Sequence, residues 1–258
     1  MRIVVLVKEV PDTYGERALN LETGLVERRS SESVVDEIGE RALEAALCYA
    51  DANEGVEVSV LSMARAGAVS SIRKCLAMGA DSATHIIDDG LIGADLGLTA
   101  EALAAALRRV GFDLVITGNQ STDGASGMLP ALLAETLGVP NATNLDELVI
   151  GSDEISGLRA SDGVVMRVIA RLPALVSVTD RLPDARFANL NGIMAAKKKP
   201  IETLDLVDLG IDPEDMSTPR AIMLRVAERP PRIAGTKILD EGDAARELVG
   251  FLAEQRLI

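Results

Sequence analysis

The chain has 258 residues, 48% hydrophobic and 26% charged, enough to bury one generous core. Its formal net charge of −14 repels phosphate backbones and argues against nucleic-acid binding. The single histidine, His85, disfavours a histidine-rich metal site or a Ser-His-Asp triad, and Cys48 and Cys75 form no CxxC pair and suggest no disulfide scaffold.

The first element is a short apolar run at residues 3–7, which reads as a buried strand. A secretory segment or membrane span would be longer, so the cytoplasm is the expected compartment. Further strands are expected at 56–62, 84–87 and 113–117, with helices near 38–52, 66–77 and 98–108 between them. Strands alternating with helices imply right-handed crossovers and a doubly wound, mostly parallel sheet. Aromatics are only 2%, so Ala, Val, Leu and Ile must build the core. Gly79 is expected to end one helix in the left-handed conformation. Gly138 closes another over 127–137, and Pro140 blocks its continuation. Beyond about residue 142 come shorter alternating segments at 144–150, 155–160, 164–169 and 174–178. The turns Gly151-Ser-Asp153 and Ser161-Asp-Gly163 separate three of them, which suggests antiparallel hairpins added to the sheet. From Pro183 regular structure thins: 183–200 reads as a loop, Glu228-Arg-Pro-Pro-Arg-Ile-Ala-Gly235 cannot be helical, and a helix is expected near 243–255.

Three stretches are candidates for chemistry. Thr117-Gly-Asn-Gln-Ser-Thr-Asp-Gly-Ala-Ser-Gly127 lies between a strand and a helix. Its glycines let backbone approach a ligand, and free N–H groups at a helix start attract phosphate. Ser121, Thr122 and Ser126 add hydroxyls, and Asp123 can orient the loop or accept from a ribose or adenine. The stretch matches neither the dinucleotide fingerprint nor the P-loop, and on pattern alone it reads equally as an ordinary βα turn. Without a Walker lysine, ATP hydrolysis has little support. Val7-Lys-Glu-Val-Pro-Asp-Thr-Tyr14 follows the first strand, where open α/β sheets bind ligands, although by itself it reads as a surface turn. Ser62-Met-Ala-Arg65 occupies the equivalent place after the next strand. Arg186-Phe-Ala-Asn-Leu-Asn-Gly-Ile-Met-Ala-Ala-Lys-Lys-Lys199 has the character of a docking surface, although a covering loop with solvated lysines explains it as well.

Together these features resemble the β subunit of electron-transfer flavoproteins. The resemblance spans the chain, through Val7-Lys-Glu-Val-Pro-Asp12, Asp36-Glu-Ile-Gly-Glu-Arg-Ala-Leu-Glu-Ala-Ala46, Ile72-Arg-Lys-Cys-Leu-Ala-Met-Gly-Ala-Asp81, residues 118–127, Leu172-Pro-Ala-Leu-Val176, Gly192-Ile-Met-Ala-Ala-Lys-Lys-Lys199 and Pro230-Pro-Arg-Ile-Ala-Gly235. Asp12-Thr-Tyr-Gly-Glu-Arg17 and Ser121-Thr-Asp-Gly124 resemble bacterial members.

The resemblance implies an adenine-nucleotide-binding, HUP-like α/β domain over 1–182. A partner-recognition loop would follow over 183–200, then a C-terminal arm over 201–258 packing on a partner subunit. It implies a heterodimer in which an α subunit holds most of the FAD site and this chain holds a structural AMP, acting as an electron carrier rather than an enzyme by itself. Positions matching the AMP site are Leu6, Val7, Asp36, Met63, Gly118, Asn119, Gln120, Ser121, Thr122, Asp123, Gly124, Ala125, Ser126, Gly127, Met128 and Leu129. Thr13 and Tyr14 would approach the FAD, and Leu190, with Ile193 and Met194, would dock dehydrogenases. Electrons would come from acyl-CoA dehydrogenase-type flavoproteins of fatty-acid β-oxidation and pass to a membrane quinone reductase.

Two places depart from the family pattern. Many relatives have Asn-Pro at Asp36-Glu37, and some have Asn-Gln-Thr at Gly127-Met-Leu129. Backbone amides are then left as the main phosphate ligands, and any contact of Asp36 should be to ribose or adenine. Two alternatives stand beside this reading: a stand-alone adenine-nucleotide sensor of universal-stress type, and a flavin-bifurcating variant with a second FAD in place of AMP.

Overall fold

The run Arg2-Ile-Val-Val-Leu6 is extended because aliphatic and β-branched side chains pack well when a strand buries both faces. In the computed structural model it is strand β1 (Arg2–Leu6), followed by β2 (Glu9–Pro11), β3 (Ser33–Val35), α1 (Glu37–Ala52), β4 (Glu57–Met63), α2 (Val69–Met78), β5 (Ser82–Ile86) and α3 (Leu96–Val110). Then come β6 (Leu114–Gly118), α4 (Leu129–Leu137), β7 (Asn141–Leu145), β8 (Glu147–Ile150), β9 (Glu154–Ser161), β10 (Val164–Arg171) and β11 (Ala174–Val178). The last elements are α5 (Leu190–Ala196), β12 (Ile201–Leu204), α6 (Leu206–Leu209) and α7 (Ala244–Glu254). The structure describes residues 1–15, 18–28, 32–215, 218, 220–232 and 234–258. Glu16, Arg17 and Ile233, from two stretches quoted above, lie outside the described residues.

The central sheet has seven strands in the order β12-β5-β4-β1-β6-β11-β7, and every pairing is parallel. Strand periodicity sends alternate residues to opposite faces. Ile3 and Val5 pack with Leu43 and Leu47 of α1 and with Ile72 and Leu76 of α2. Val4 and Leu6 pack on the other face with Leu103 and Leu107 of α3 and Leu133 of α4. The chain steps from β1 through β4 to β5, then crosses to the far side of β1 for β6. That reversal makes the carboxyl ends of β1 and β6 the switch point, where such sheets form a crevice.

The expected hairpins divide differently. β8, β9 and β10 form their own three-stranded antiparallel sheet rather than extending the central one. Ala174–Val178 is not part of it. All five of its residues are buried and it pairs parallel with both β6 and β7, because a strand covered on both faces belongs in a parallel sheet. Asn144, at φ 57, sits within β7 where its register with β11 shifts. The Asp146 carboxylate then accepts from Thr179 Oγ1 at 2.8 Å and from the Ala160 amide at 3.1 Å, tying the two sheets together.

Other expectations shift locally. The fourth helix begins at Leu129 rather than 127, since Gly127 is left-handed at φ 65; Pro130 falls in its first turn, and Gly138 closes it at φ 70, ψ 35. Gly79 ends α2 at φ 150, a positive φ but outside the left-handed helical region.

Residues 183–200 contain a helix, α5, instead of being loop throughout. Asn189 caps it through the Gly192 amide at 2.8 Å, and a Cβ at Gly192 would collide with the Ala77 carbonyl oxygen, so only glycine lets α5 lie against α2. Strand β12 then adds the edge of the central sheet beside β5. Arg220 pairs with Glu101 at 2.6 Å, and the Ala221 amide donates to Asp95 at 2.6 Å. The first compact unit therefore runs to Leu224, and a second, Arg225–Ile258, is extended chain leading into α7, which exposes Leu248, Val249 and Phe251.

Candidate functional site

Strands β1, β4 and β6 are neighbours in the sheet, so their carboxyl ends bring Leu6, Val7, Met63 and Gly118 to one edge. Two of the helices that begin at that edge bear on the site. Helix α1 follows β3, and its N-cap is Asp36, whose Oδ1 accepts from the Ile38 amide at 3.1 Å. Gly118 lies against this first turn, where a Cβ would stand 3.0 Å from Ile38 Cγ2. Helix α4 begins after the loop of residues 119–128. The backbone N–H groups of Ser126, Gly127, Met128 and Leu129 have no acceptor among the described residues, and the first three of these residues are exposed. A helix start with free amides and a positive φ at Gly127 is an anion cradle. These residues therefore fit a phosphate group.

The loop is pinned at its other end by charge. Asp36 Oδ2 accepts from the Thr122 amide at 2.7 Å and from Thr122 Oγ1 at 2.8 Å. The next residue, Asp123, is held at 2.7 Å by Lys8 Nζ and at 2.9 Å by Arg28 Nη2. Burial alone would raise the Asp123 pKa, but Lys8, then Ser121 and Arg28, outweigh it and bring it down to about 2. Lys8 also donates to Ser121 Oγ at 3.2 Å. The Asn119 amide donates to the Val178 carbonyl at 2.8 Å, joining the loop to β11.

Met63 ends β4, and the turn after it is held from below. Buried His85 on β5 has its Nε2 3.1 Å from the Ala64 carbonyl, and burial keeps its pKa below the usual value. Glu9 on β2 accepts from Ser71 of α2 at 2.8 Å on the same side of the sheet. Among the described residues no His, Cys, Asp or Glu cluster could hold a metal ion. Cys75 is buried, which pushes its thiol up to about 12, and burial together with Glu44 raises Cys48 as well.

The remaining candidates lie elsewhere. Thr13 and Tyr14 sit in the turn after β2, where the Tyr14 amide donates to Asp12 at 2.9 Å and the ring is 98% exposed. Leu190, Ile193 and Met194 are exposed on α5, which lies over Ala77 near the end of α2, at the amino-terminal edge of the sheet. A strand length, roughly 15–20 Å, separates that stripe from the nucleotide-type loop. The apolar stripe is open, but the lysine run is only partly solvated. Lys197 and Lys198 are exposed, whereas Lys199 Nζ binds the carbonyls of Leu76, Gly79 and Ala80 at 3.1, 3.1 and 2.6 Å. A shallow recess by Met1, Asp113, Ser152, Leu172 and Pro173 is at the end of the sheet away from the loop.

Lys8 and Arg28 carry the loop's anchoring, yet neither stands out in the sequence. Lys8 lies in a stretch that carries the family resemblance, and its own signal is a charge directly after a buried strand. Arg28 stands 95 residues from its partner and offered none.

One family profile, described as "Electron transfer flavoprotein domain", matches residues 23–209. "Electron transfer flavoprotein subunit beta" of Mycobacterium leprae is 42% identical over 263 residues, covering 99% of both chains. The protein of the same name in Bacillus subtilis is 33% identical over 99% of this chain and 98% of its own. "Caffeyl-CoA reductase-Etf complex subunit CarD" of Acetobacterium woodii is 32% identical over the full length of both.

Proposed function

Because this chain belongs to the electron transfer flavoprotein family, on its beta-subunit side, we propose that it is the AMP-holding half of a heterodimeric electron shuttle. Membership implies electron transfer and an alpha-subunit partner. The finer assignments are ours. The observation that carries them is the loop of residues 118–129, whose free amides open α4 while Asp36, Lys8 and Arg28 hold its base.

In this reading the phosphate of AMP takes the amides of Gly127, Met128 and Leu129 and the Ser126 hydroxyl, with Leu6 and Met63 backbone against adenine. Asp36, Val7 and residues 118–125 form the wall behind it. FAD, bound mainly by the alpha subunit, supplies the redox chemistry. This chain completes that site from the Thr13–Tyr14 turn, whose ring is 98% exposed. The stripe Leu190, Ile193, Met194 docks acyl-CoA dehydrogenase-type flavoproteins through a small contact suited to fast exchange. A membrane quinone reductase receives the electrons. Among the described residues no helix is long and apolar enough to cross a membrane, in keeping with the cytoplasmic place we assign. Of the arm expected over 201–258, β12 and α6 belong to the chain's own first unit, and the stretch from Arg225 onward, including exposed α7, packs on the alpha subunit.

The test is nucleotide analysis of the denatured heterodimer after co-expression with its alpha subunit. One FAD and one AMP are expected. Two FAD and no AMP would move the protein to a variant with a second flavin, a reading kept in view by the similarity to a reductase–Etf complex subunit. The stand-alone sensor alternative predicts a homodimer without flavin or an alpha subunit, and the matches over 99% of both chains count against it.

A further inference from the structure

We propose that Lys8 and Arg28 are positioning residues for the nucleotide loop, acting through Asp123, and that neither acidic side chain at the site reads the ribose. The second clause rests on the AMP reading above; the first does not.

The argument starts from reach. Dinucleotide sites of doubly wound sheets commonly use a carboxylate to accept from ribose hydroxyls. Here the two carboxylates at the loop are Asp36 and Asp123. Asp36 is 3% exposed and the Asp123 side chain 2%. All four of their oxygens already have partners: Ile38 on Asp36 Oδ1, Thr122 twice on Oδ2, Lys8 on Asp123 Oδ1 and Arg28 on Oδ2. Both side chains are also buried beneath the loop, so a ligand hydroxyl could reach one of these oxygens only by opening the packing that holds the donors in place.

The carboxylates face inward, so their task is to shape the loop. Thr122 and Asp123 are consecutive, and each is fixed to a different part of the chain. Asp36 ties Thr122 to the start of α1, while Lys8 and Arg28 tie Asp123 to the segments on either side of β2. Arg28 is itself anchored through Nη1 on the Glu9 carbonyl at 3.1 Å. Asp123 Oδ1 and Ser121 Oγ both approach the Gly124 amide, and the Ala125 amide closes on the Ser121 carbonyl at 2.8 Å. The turn that carries Ser126 and Gly127 to the ligand is thus set by the chain's own charges before a nucleotide arrives. Such pre-organisation strengthens binding without a contact to the ligand.

The experiment uses the nucleotide-free heterodimer with Lys8→Met, Lys8→Arg and Arg28→Met variants. It reads hydrogen exchange of amides 118–129 and dissociation constants for AMP and 2′-deoxy-AMP. In the unsubstituted protein the two nucleotides should bind within about threefold of each other, since no buried acceptor is lost with the 2′-hydroxyl. Lys8→Met and Arg28→Met should each speed loop exchange and weaken both nucleotides alike, by roughly tenfold. Lys8→Arg should restore binding, which a mere packing role for the lysine stem would not predict. A preference for AMP of more than about thirtyfold would place a polar group on the ribose and overturn the second clause. Loop exchange unaltered in both Met variants would overturn the first. If the unsubstituted protein holds no AMP at all, the nucleotide reading fails, and loop exchange decides the positioning role by itself.

Discussion

Arg186 grips Glu44 with two parallel bonds, Nε to Oε2 at 2.8 Å and Nη2 to Oε1 at 3.0 Å, and the Arg186 amide adds a third at 3.0 Å. This fork, with a further pair to Asp51 at 2.9 Å, lashes the segment leading to α5 onto α1. Burial raises the Glu44 pKa, but the bonds from Arg186 outweigh it and hold the carboxyl below its usual value. A depressed carboxyl stabilises the fold above its unfolded pKa and loses that contribution as pH falls through the folded one. Arg186→Met should therefore destabilise the protein by about 1–2 kcal/mol near neutral pH. The difference from the unsubstituted protein should shrink in melts below about pH 4. An equal difference at pH 7 and pH 3 would refute the account.

Lys199 and Lys198 are adjacent, yet they should behave as opposites. Lys199 Nζ meets carbonyls at the end of α2, where a cation satisfies groups that lack helical partners and suits the helix dipole. Lys198 is exposed. Lys199→Met should lower stability by about 1–2 kcal/mol, while Lys198→Met changes it by less than about 0.5 kcal/mol. Urea midpoints of the two variants, measured side by side, check the contrast.

Much of the parallel core was legible because its signals are local. β1, β4 and β6 are short runs rich in Val, Leu and Ile, and these three and the more polar β5 each lie within about two residues of their expected bounds. β11 is masked by its neighbours. It follows three alternating strands and reads with them, although Ala174-Leu-Val-Ser-Val178 has the largely apolar character of a doubly covered strand. Helix α5 was illegible for another reason. Seven residues cannot display helical periodicity, and the support comes from Gly192 seated on Ala77 and from Arg73, whose Nη1 donates to the Ala196 and Lys199 carbonyls at 2.6 Å each. The site divided in the same way. Its glycines and hydroxyls showed in one stretch of chain, but the pairing of Asp123 with Lys8 spans 115 residues, a relation that only the fold creates.

The exposure of Leu190, at 74%, makes it separable from the fold. Leu190→Ala removes no buried contact, so heterodimer yield, melting temperature and flavin content should stay as they are. Electron transfer from a docked dehydrogenase should fall by several-fold, seen as a raised KM for the flavoprotein in a coupled assay, because one aliphatic anchor is worth about 1–2 kcal/mol at an interface. Loss of flavin from this variant would defeat the docking assignment.

Acid should loosen the nucleotide loop late. The Asp123 carboxyl titrates at about 2 in the fold against 3.8 for the free group, so its ties to Lys8 and Arg28 contribute fully above about pH 4 and fade between about pH 4 and 2. Because Lys8 is 43% exposed, solvent screens the pair, and the contribution is on the order of 1–2 kcal/mol. Between pH 5 and 8 this carboxylate stays ionised, and AMP retention should be flat as far as Asp123 controls it. Asp123→Asn keeps the shape but leaves Lys8 and Arg28 without a counter-charge, so the variant should lose AMP already at neutral pH. Equilibrium dialysis of AMP at neutral pH, on both proteins side by side, tests this: equal retention by Asp123→Asn would mean that some other group, and not this ion triad, holds the loop.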